Sequence, residues 1–364
     1  DTEDTAMQET ENQSLPVLPV PVLTFSSSDT SQISVSWPDT NDEITKAYLI
    51  SRKLDSDTEW TSLSTIESDL AASGESYTYT DYLSDPTPTQ YIYRIEAQPL
   101  DESQYKSSQS NEVLGCNVCI CLDPGHFQKA SSGRGTDMYG YDEGTFTLSL
   151  GLNLRDTLRN QYGIDARMTR DTDHITINGH RDLDINYLSL LGQYAEGCNL
   201  FISLHTNANL DNANGYGTWN QPINIIKPII ILNQQASFSP TLIAQANAIG
   251  RNLAATSYGL GIASVQQFLP GSIGAFPEWS DATNDALDTP GTIYVRWKDT
   301  GEDYYGVLRG AASVGVPGMI IEHGHHTVAE MRKLAQTGEL AKKWAEADAA
   351  GIAEGYGFRG QANG

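Results

Sequence analysis

Positive charge is scarce in this chain of 364 residues. Lysine and arginine together number 22, against 46 aspartates and glutamates, which gives a formal net charge of −24 and an isoelectric point of about 4.5. Such a surface repels the phosphates of nucleic acids and anionic lipids, so we expect no nucleic-acid partner. We interpret the acidity as the charge that keeps an exported protein in solution.

Long apolar runs are also missing. None approaches the roughly 20 residues that a membrane-spanning helix needs, and the longest, such as Ile225–Leu232, have the length of a strand. The sequence therefore predicts no transmembrane segment. The chain starts at Asp1 without a signal-peptide pattern, and we expect that an export signal or anchor was removed ahead of it.

Cysteine is rare, with four residues at positions 116, 119, 121 and 198. Cys119 and Cys121 alternate on one face of an apolar strand, which favours buried free thiols. A bridge from Cys116 to Cys198 or Cys119 is the alternative. A zinc knuckle is disfavoured because no second closely spaced pair is present.

Several catalytic motifs are absent as well. The sequence has no G-x-S-x-G elbow, P-loop, H-E-x-x-H or dinucleotide-binding fingerprint. This argues against serine hydrolases, nucleoside triphosphatases, thermolysin-like proteases and Rossmann oxidoreductases.

The amino-terminal part divides into a polar leader and a strand-rich segment. Residues 1–15 are acidic and lack periodicity, which is typical of a disordered leader. Residues 16–115 contain short runs that alternate with period two between polar or proline-bearing turns, which predicts an all-β, immunoglobulin-like sandwich. The segment resembles fibronectin type III domains, with Trp37 as the core tryptophan and Tyr91 as the tyrosine corner. We expect a spacer or docking module.

After Cys116 the pattern changes to strands that alternate with helices. Residues 116–358 include a strand that ends in LDPGH, followed by an amphipathic helix over Thr145–Gly163. This alternation predicts an α/β domain with a mostly parallel sheet flanked by helices. Gly259–Tyr304 has no regular pattern, and we expect a groove wall or a packed insertion there. Residues 359–364 are predicted to be a flexible tail.

Three polar side chains lie at the ends of apolar strands. His126 follows ICLDPG, His205 follows NLFISL, and Glu322 follows GMII. Because the carboxyl ends of parallel strands open at one edge of a sheet, these side chains are expected to converge. Two imidazoles and carboxylates gathered there indicate a catalytic zinc site.

A catalytic zinc site usually has three protein ligands, so one more is needed. Glu143, at the start of the predicted helix, is the candidate, and its alternative role is an acidic residue favoured by the helix dipole. Its neighbour Asp142 has a shorter side chain. Glu322 would take the proton of the attacking water, because a glutamate that ends an apolar strand is costly without a task. Asp123 is interpreted as a residue that stabilises the turn.

Together these segments resemble the zinc-dependent N-acetylmuramoyl-L-alanine amidases, over about Val118–Gly357. The resemblance rests on LDPGH, a downstream glutamate that opens a helix, RMTRDTD, SLHTNA, GVLR and PGMIIEHG, in the order of the family. It implies that Zn²⁺ is bound by His126, Glu143 and His205 and that Glu322 is catalytic. It also implies cleavage, at the bacterial cell wall, of the peptidoglycan amide between the lactyl group of N-acetylmuramic acid and L-alanine. We therefore expect the wall or a protein as the partner of the fibronectin-like segment.

The chain departs from the family pattern at two places. Phe127 stands where a second glycine is usual, and His325 stands where a phenylalanine often occurs. We interpret His323, His325 and His326 as groups beside or behind the zinc ligands, and an additional metal site is the alternative.

Substrate contacts are predicted for Asn207, Arg309 and His325. Arg309 and Arg181 could pair with substrate carboxylates, although such arginines are more often structural. Two other functions stay open: a zinc peptidase or deacetylase that acts on another cell-wall bond, and a wall-binding protein without catalysis.

Overall fold

The structure is a computed structural model, and the part of the chain that it describes covers residues 14–40, 43–68, 76–127, 141–177, 180–181, 188–207, 228–233, 240–256, 273–276, 293–298, 300–326 and 329–361. Contacts between Cα atoms divide the chain into two compact units. The first contains residues 1–26, 34–81 and 91–113, and the second contains residues 27–33, 82–90 and 114–364. The predicted leader lies almost entirely outside the described residues.

The amino-terminal strands form two sheets. The strands are β1 (Thr24–Ser28), β2 (Gln32–Pro38), β3 (Thr45–Lys53), β4 (Thr61–Glu67), β5 (Ser76–Tyr82), β6 (Gln90–Pro99), β7 (Ser108–Gln109) and β8 (Val113–Cys116). One sheet has the order β1-β2-β5 and the other the order β4-β3-β6-β7, with β8 also paired to β6. The pairs β3–β4, β3–β6 and β6–β7 are antiparallel, as the alternating pattern predicts.

Aromatic side chains join the two sheets. The Trp37 ring on β2 lies 5.6 Å from the ring of Tyr48 on β3 and 5.8 Å from that of Tyr77 on β5. Trp37 is therefore a core residue, as predicted. Tyr93 on β6 is buried, and its hydroxyl donates to Asp81 Oδ2 (2.7 Å). The predicted corner residue, Tyr91, lies on the same strand two residues earlier and is half-buried.

The carboxy-terminal unit alternates strands and helices. Its strands are β9 (Cys119–Pro124), β10 (Asp165–Met168), β11 (Thr176–Ile177), β12 (His180–Arg181), β13 (Leu200–Asn207), β14 (Ile229–Leu232), β15 (Ile273–Phe276), β16 (Ile293–Arg296) and β17 (Gly318–His325). Its helices are α1 (Glu143–Thr157), α2 (Leu188–Gln193), α3 (Pro240–Ala255), α4 (Gly306–Ser313), α5 (Ala329–Gln336) and α6 (Glu339–Tyr356).

A seven-stranded sheet has the order β10-β9-β13-β17-β14-β16-β15. Five of its neighbouring pairs are parallel. The pair β14–β17 is antiparallel, so the sheet is mixed, although mostly parallel as predicted. The short strands β15 and β16 fall in the stretch for which the sequence predicted no regular structure. Four residues each are too few to produce a periodic signal.

Local chemistry explains the ends of α1. The Asp142 side chain caps its first turn by accepting from Gly144 N and from Thr145 Oγ1, both at 3.0 Å. A π-helical turn over Leu158–Tyr162 follows, and Gly163 closes it in the left-handed conformation with a φ of 65°. The predicted helix therefore starts two residues earlier than expected, at Glu143, and ends at the predicted glycine.

The alternation of side chains along the strands produces two cores. On one face, Leu204 and Ile321 pack with α1, α3 and α6, and on the other, Phe201 and Ile320 pack with α2 and α4. The four cysteines are buried and are free thiols in this structure, and the burial agrees with the prediction for Cys119 and Cys121. At the carboxyl end, Gln361 N donates to Gln161 O (2.6 Å), so bonded structure extends past the predicted start of the tail.

None of the helices described is long and apolar enough to cross a membrane.

Candidate metal centre

Two neighbouring strands carry the two histidines to one edge of the sheet. β9 leads into His126, and β13 contains His205 close to its end. The strands run parallel with Pro124 beside Leu204, and Gly125 N donates to Leu204 O (2.9 Å). His126 has a φ of 60°, a left-handed conformation that is uncommon for a residue with a side chain. The sharp turn after β9 brings its imidazole within 4.8 Å of the ring of His205, centroid to centroid.

Glu143 reaches both histidines from the first residue of α1. Its Oε2 atom lies 3.2 Å from His126 Nε2, and its Oε1 atom lies 3.3 Å from His205 Nδ1. Thr206 N also donates to Oε1 (2.8 Å). The carboxylate is buried, with 4% of its side chain exposed. Asp142 faces the backbone as a helix cap, which leaves the longer side chain of Glu143 for the histidines.

The three side chains fit a catalytic zinc ion. Their ligand atoms all lie within 4.8 Å of one another. Two ligands bound tetrahedrally at about 2.0–2.1 Å are roughly 3.4 Å apart, close to the two distances between Glu143 and the histidines. Two imidazoles and one carboxylate form a donor set that zinc hydrolases use. Within the described part of the chain, this is the one cluster of histidine, cysteine or acidic residues that could hold a metal ion.

Burial and charge act against each other at these side chains. Burial disfavours the Glu143 carboxylate, but the imidazoles of His126 and His205 outweigh it and hold the pKa of Glu143 well below its usual range. Burial also disfavours a charged His205, yet the bond to Glu143 and the charge of Glu322 raise the pKa of His205 to about 9. A metal ion that binds here would therefore displace a proton from His205.

Glu322 lies beside His205 on the next strand. The two residues are register partners in the parallel pair β13–β17. Burial, reinforced by the charge of Glu143 and opposed by His205, raises the pKa of Glu322 to about 7. Its Oε2 atom is buried and has no hydrogen-bond partner among the described residues. The raised pKa and the unpartnered oxygen beside His205 make Glu322 a candidate for proton transfer.

His326 contacts Thr206, the residue that follows His205. Its Nδ1 atom lies 3.0 Å from Thr206 Oγ1, and the hydroxyl of Tyr141 lies 2.8 Å from the same oxygen. The rings of Tyr141 and His326 stack at 5.2 Å. Because Thr206 N donates to Glu143, this network fixes the residue that holds the candidate ligand.

His323 faces away from Glu322, toward α6. Its Nδ1 atom donates to the backbone oxygen of His205 (3.1 Å), and its Nε2 atom lies 2.7 Å from Asp348 Oδ2. Both side chains are fully buried. The pair connects α6 to the strand that carries His205. Sequence reasoning placed His323 near the site but missed Asp348, which no local pattern distinguishes.

Arg170 ties the turn after β9 to α1. Its buried guanidinium donates to the backbone oxygens of Pro124 (2.9 Å), Gly125 (3.2 Å) and Gly144 (2.7 Å). It therefore fixes the turn that carries His126 against the helix end that carries Glu143. The motif RMTRDTD contains this arginine, but the sequence alone did not indicate its role.

Asp123 accepts from Thr169 Oγ1 (2.8 Å) and from Ser203 Oγ (2.6 Å). It is buried, and each oxygen bonds a hydroxyl of a neighbouring segment. This agrees with its predicted structural role.

Two of the three predicted substrate contacts, Asn207 and His325, are register partners in the pair β13–β17. Arg309 Nη1 donates to the backbone oxygens of Asp303 (2.7 Å) and Tyr304 (2.8 Å), which makes this arginine part of its own loop. His325 is fully buried, so its ring is closed to solvent in this structure. Asn207 is half-buried at the end of β13. The side chain of Arg181 lies outside the described residues.

A small apolar cavity adjoins the two histidines. It has a volume of about 130 Å³. Besides His126 and His205, its wall is made largely of apolar side chains: Phe127, Leu188, Leu191, Val307 and Ile320. A small apolar group held there would lie next to the candidate ligands.

Comparison with known families gives a match in this region. Residues 120–268 match the family model of the N-acetylmuramoyl-L-alanine amidases. This range contains His126, Glu143 and His205, whereas Glu322 lies beyond it. The predicted resemblance is thereby confirmed for residues 120–268. No curated protein matches the chain.

Several solved structures resemble the chain. Cwp6 from Clostridium difficile is 20% identical and aligns over 65% of this chain and 29% of its own, with a TM-score of 0.43. The catalytic domain of CwlV, an N-acetylmuramoyl-L-alanine amidase from Bacillus (Paenibacillus) polymyxa var. colistinus, is 19% identical. It aligns over 65% of this chain and 97% of its own, with a TM-score of 0.41. Ami1, an N-acetylmuramyl-L-alanine amidase from Mycobacterium smegmatis, is also 19% identical and aligns over 66% of this chain and 97% of its own, with a TM-score of 0.44. The chain thus spans less than a third of the length of Cwp6.

Proposed function

We propose that this protein is a zinc-dependent peptidoglycan hydrolase that cleaves the amide between the lactyl group of N-acetylmuramic acid and L-alanine. The observation that carries the proposal is the set of three convergent ligands with Glu322 beside them. The family match over residues 120–268 supports the choice of bond.

His126, Glu143 and His205 would hold the metal ion. Zn²⁺ bound there would supply a Lewis acid that polarises the amide carbonyl and makes a water molecule acidic. The histidines act as neutral ligands and Glu143 as an anionic one. Thr206 and the helix end hold the carboxylate in place.

Glu322 moves the proton in this scheme. As a carboxylate it takes a proton from the attacking water while the new carbon–oxygen bond forms. As a carboxylic acid it then gives that proton to the amide nitrogen while the carbon–nitrogen bond breaks. The products are a lactyl carboxylate and a free L-alanine amine. Burial raises the pKa of Glu322 to about 7, which suits a group that must both accept and release a proton near neutral pH.

The apolar cavity supports this substrate. Both sides of the scissile amide carry a methyl group, one on the lactyl unit and one on L-alanine. The apolar wall of the cavity beside His126 and His205 suits such a group.

We infer further that the amino-terminal unit is a fibronectin type III-like module that acts as a spacer or docks on the wall. The strand orders of its two sheets and the core position of Trp37 support this. Because peptidoglycan lies outside the cytoplasmic membrane, the protein would act extracellularly, at the cell wall.

The test is product analysis on purified peptidoglycan. Dialysis against a strong chelator should abolish the release of stem peptides, and added zinc should restore it. Mass spectrometry should find peptides with a free L-alanine amine and glycans with a free lactyl carboxylate. Glu322→Gln should be inactive, whereas Glu330→Gln, which changes an exposed glutamate of α5, should be active.

Other outcomes would point elsewhere. Zinc-dependent cleavage at a different bond would indicate a peptidase or deacetylase. Wall binding with no new amines and no stoichiometric zinc would indicate a non-catalytic protein. Either result would refute the proposed activity.

A further inference from the structure

Two of the four cysteines face each other where the ligand-bearing strands begin. Cys119 is the first residue of β9, and Cys198 lies two residues before the start of β13. Their Sγ atoms are 3.0 Å apart and buried. This is only about 1 Å longer than the sulfur–sulfur bond of a disulfide. The contact differs from the bridges considered on sequence grounds, because Cys116 instead donates to Tyr162 O (3.2 Å).

The backbone around this pair suits a covalent link. Asn199 N donates to Cys119 O (2.8 Å), and Cys119 N donates to Asn199 Oδ1 (2.9 Å). These two hydrogen bonds hold Asn199, the residue after Cys198, beside Cys119. With the sulfur atoms already 3.0 Å apart, small rotations of the two side chains would bring them to the disulfide bond length of about 2.05 Å.

We propose that Cys119 and Cys198 form a disulfide bond under oxidising conditions and that this bond ties β9 to the turn before β13. The oxidant is a disulfide, from a small molecule or another protein. The Cys198 thiolate attacks it, a mixed disulfide forms, and one thiol leaves. Cys119 then loses its proton and attacks the Cys198 sulfur, and the second thiol leaves. Two protein thiols thus lose two hydrogens in total, and the oxidant is reduced to two thiols.

The surroundings hold the turn but slow the reaction. Arg167 Nη1 donates to Tyr194 O (3.0 Å) and Glu196 O (2.8 Å), which keeps the turn before Cys198 against β10. The adjacent Cys198 thiol and burial both raise the pKa of Cys119, so its thiolate is scarce near neutral pH. We expect closure to be slow but complete once a mixed disulfide has formed at Cys198.

The first test maps the bond in the full chain. The protein is incubated with hydroxyethyl disulfide, alkylated in denaturant and digested without reduction. Mass spectrometry should find the peptide that contains Cys119 joined to the Cys198 peptide, with a mass lower by two hydrogens than the sum of the two. Fragment ions should show that Cys116 and Cys121 of the same peptide are alkylated and that Cys119 carries the link. Alkylation of all four cysteines, or a bridge to Cys116 or Cys121, would overturn the proposal.

The second test measures stability. The link closes a loop of about 80 residues, so the oxidised protein should melt on the order of 10 °C higher than the reduced one. Cys198→Ala should remove this difference between oxidised and reduced samples. Cys121→Ala, at a buried cysteine of the same strand, should keep it. Because the mapping uses the unaltered chain, it decides the matter even if Cys119→Ala or Cys198→Ala fails to fold.

Discussion

Gly125→Ala places a methyl group where the ring of His205 now lies. A Cβ atom at Gly125 would be 2.3 Å from His205 Cε1, 2.4 Å from Nε2 and 2.7 Å from Nδ1. Non-bonded carbon atoms rest about 3.5–4.0 Å apart, so the ring must move by roughly 1 Å. Metal sites tolerate errors of about 0.2 Å in their bond lengths. The displaced ring would therefore no longer share a metal ion with Glu143.

We expect the zinc affinity of Gly125→Ala to fall by about 100-fold or more, at the upper end of what disturbing a ligand's support costs. The fold should persist, since overpacking one site costs about 1–3 kcal/mol. Competition with a fluorescent zinc chelator measures the affinity, and circular dichroism checks the fold. Gly360→Ala is the control, because its Cβ would be 3.5 Å from Tyr162, an ordinary contact. A folded Gly125→Ala protein with unchanged affinity would refute the placement of His205 as a ligand.

Three further predictions follow from the site. Glu322→Gln should bind zinc normally but lower kcat about 10²–10⁴-fold, and a kcat within threefold of the unaltered protein would contradict proton transfer by this residue. Asp348→Ala should lower the free energy of unfolding by about 1–3 kcal/mol in urea denaturation, because it leaves His323 Nε2 buried without a partner; no loss would show that the pair is not stabilising. Zinc must displace the proton of His205, whose pKa is raised to about 9, so the logarithm of the zinc affinity should rise by about one per pH unit below pH 9 and level off above it. A pH-independent affinity between pH 7 and pH 9 would argue against this proton release.

The residues at the strand ends could be predicted because their position follows from chain order. His126, His205 and Glu322 each follow an apolar strand, and a mostly parallel sheet brings such ends to one edge. Glu143 could be predicted for a related reason, because it begins the helix that follows His126 and so lies near that edge. The alternation of side chains also explains why Glu322 faces the ligands while its neighbour faces α6.

The contacts between distant segments could not be predicted. Asp348 meets His323 only because α6 packs across the end of β17, and helical patterning does not reveal the partner of a buried acid. The pairing of Cys119 with Cys198 likewise depends on the register of β9 and β13. The strands β15 and β16 were missed because they are short, and the antiparallel direction of β14 is a property of chain topology rather than of its apolar sequence.

The most direct test of the account is the position of zinc in crystals of the zinc-loaded protein, located by anomalous scattering at the zinc edge. We predict a single strong peak bonded to His126, Glu143 and His205, with the Glu322 carboxylate facing the open coordination position. A peak on His323, His325 or His326, or a zinc ion bonded by Glu322 in place of Glu143, would contradict it.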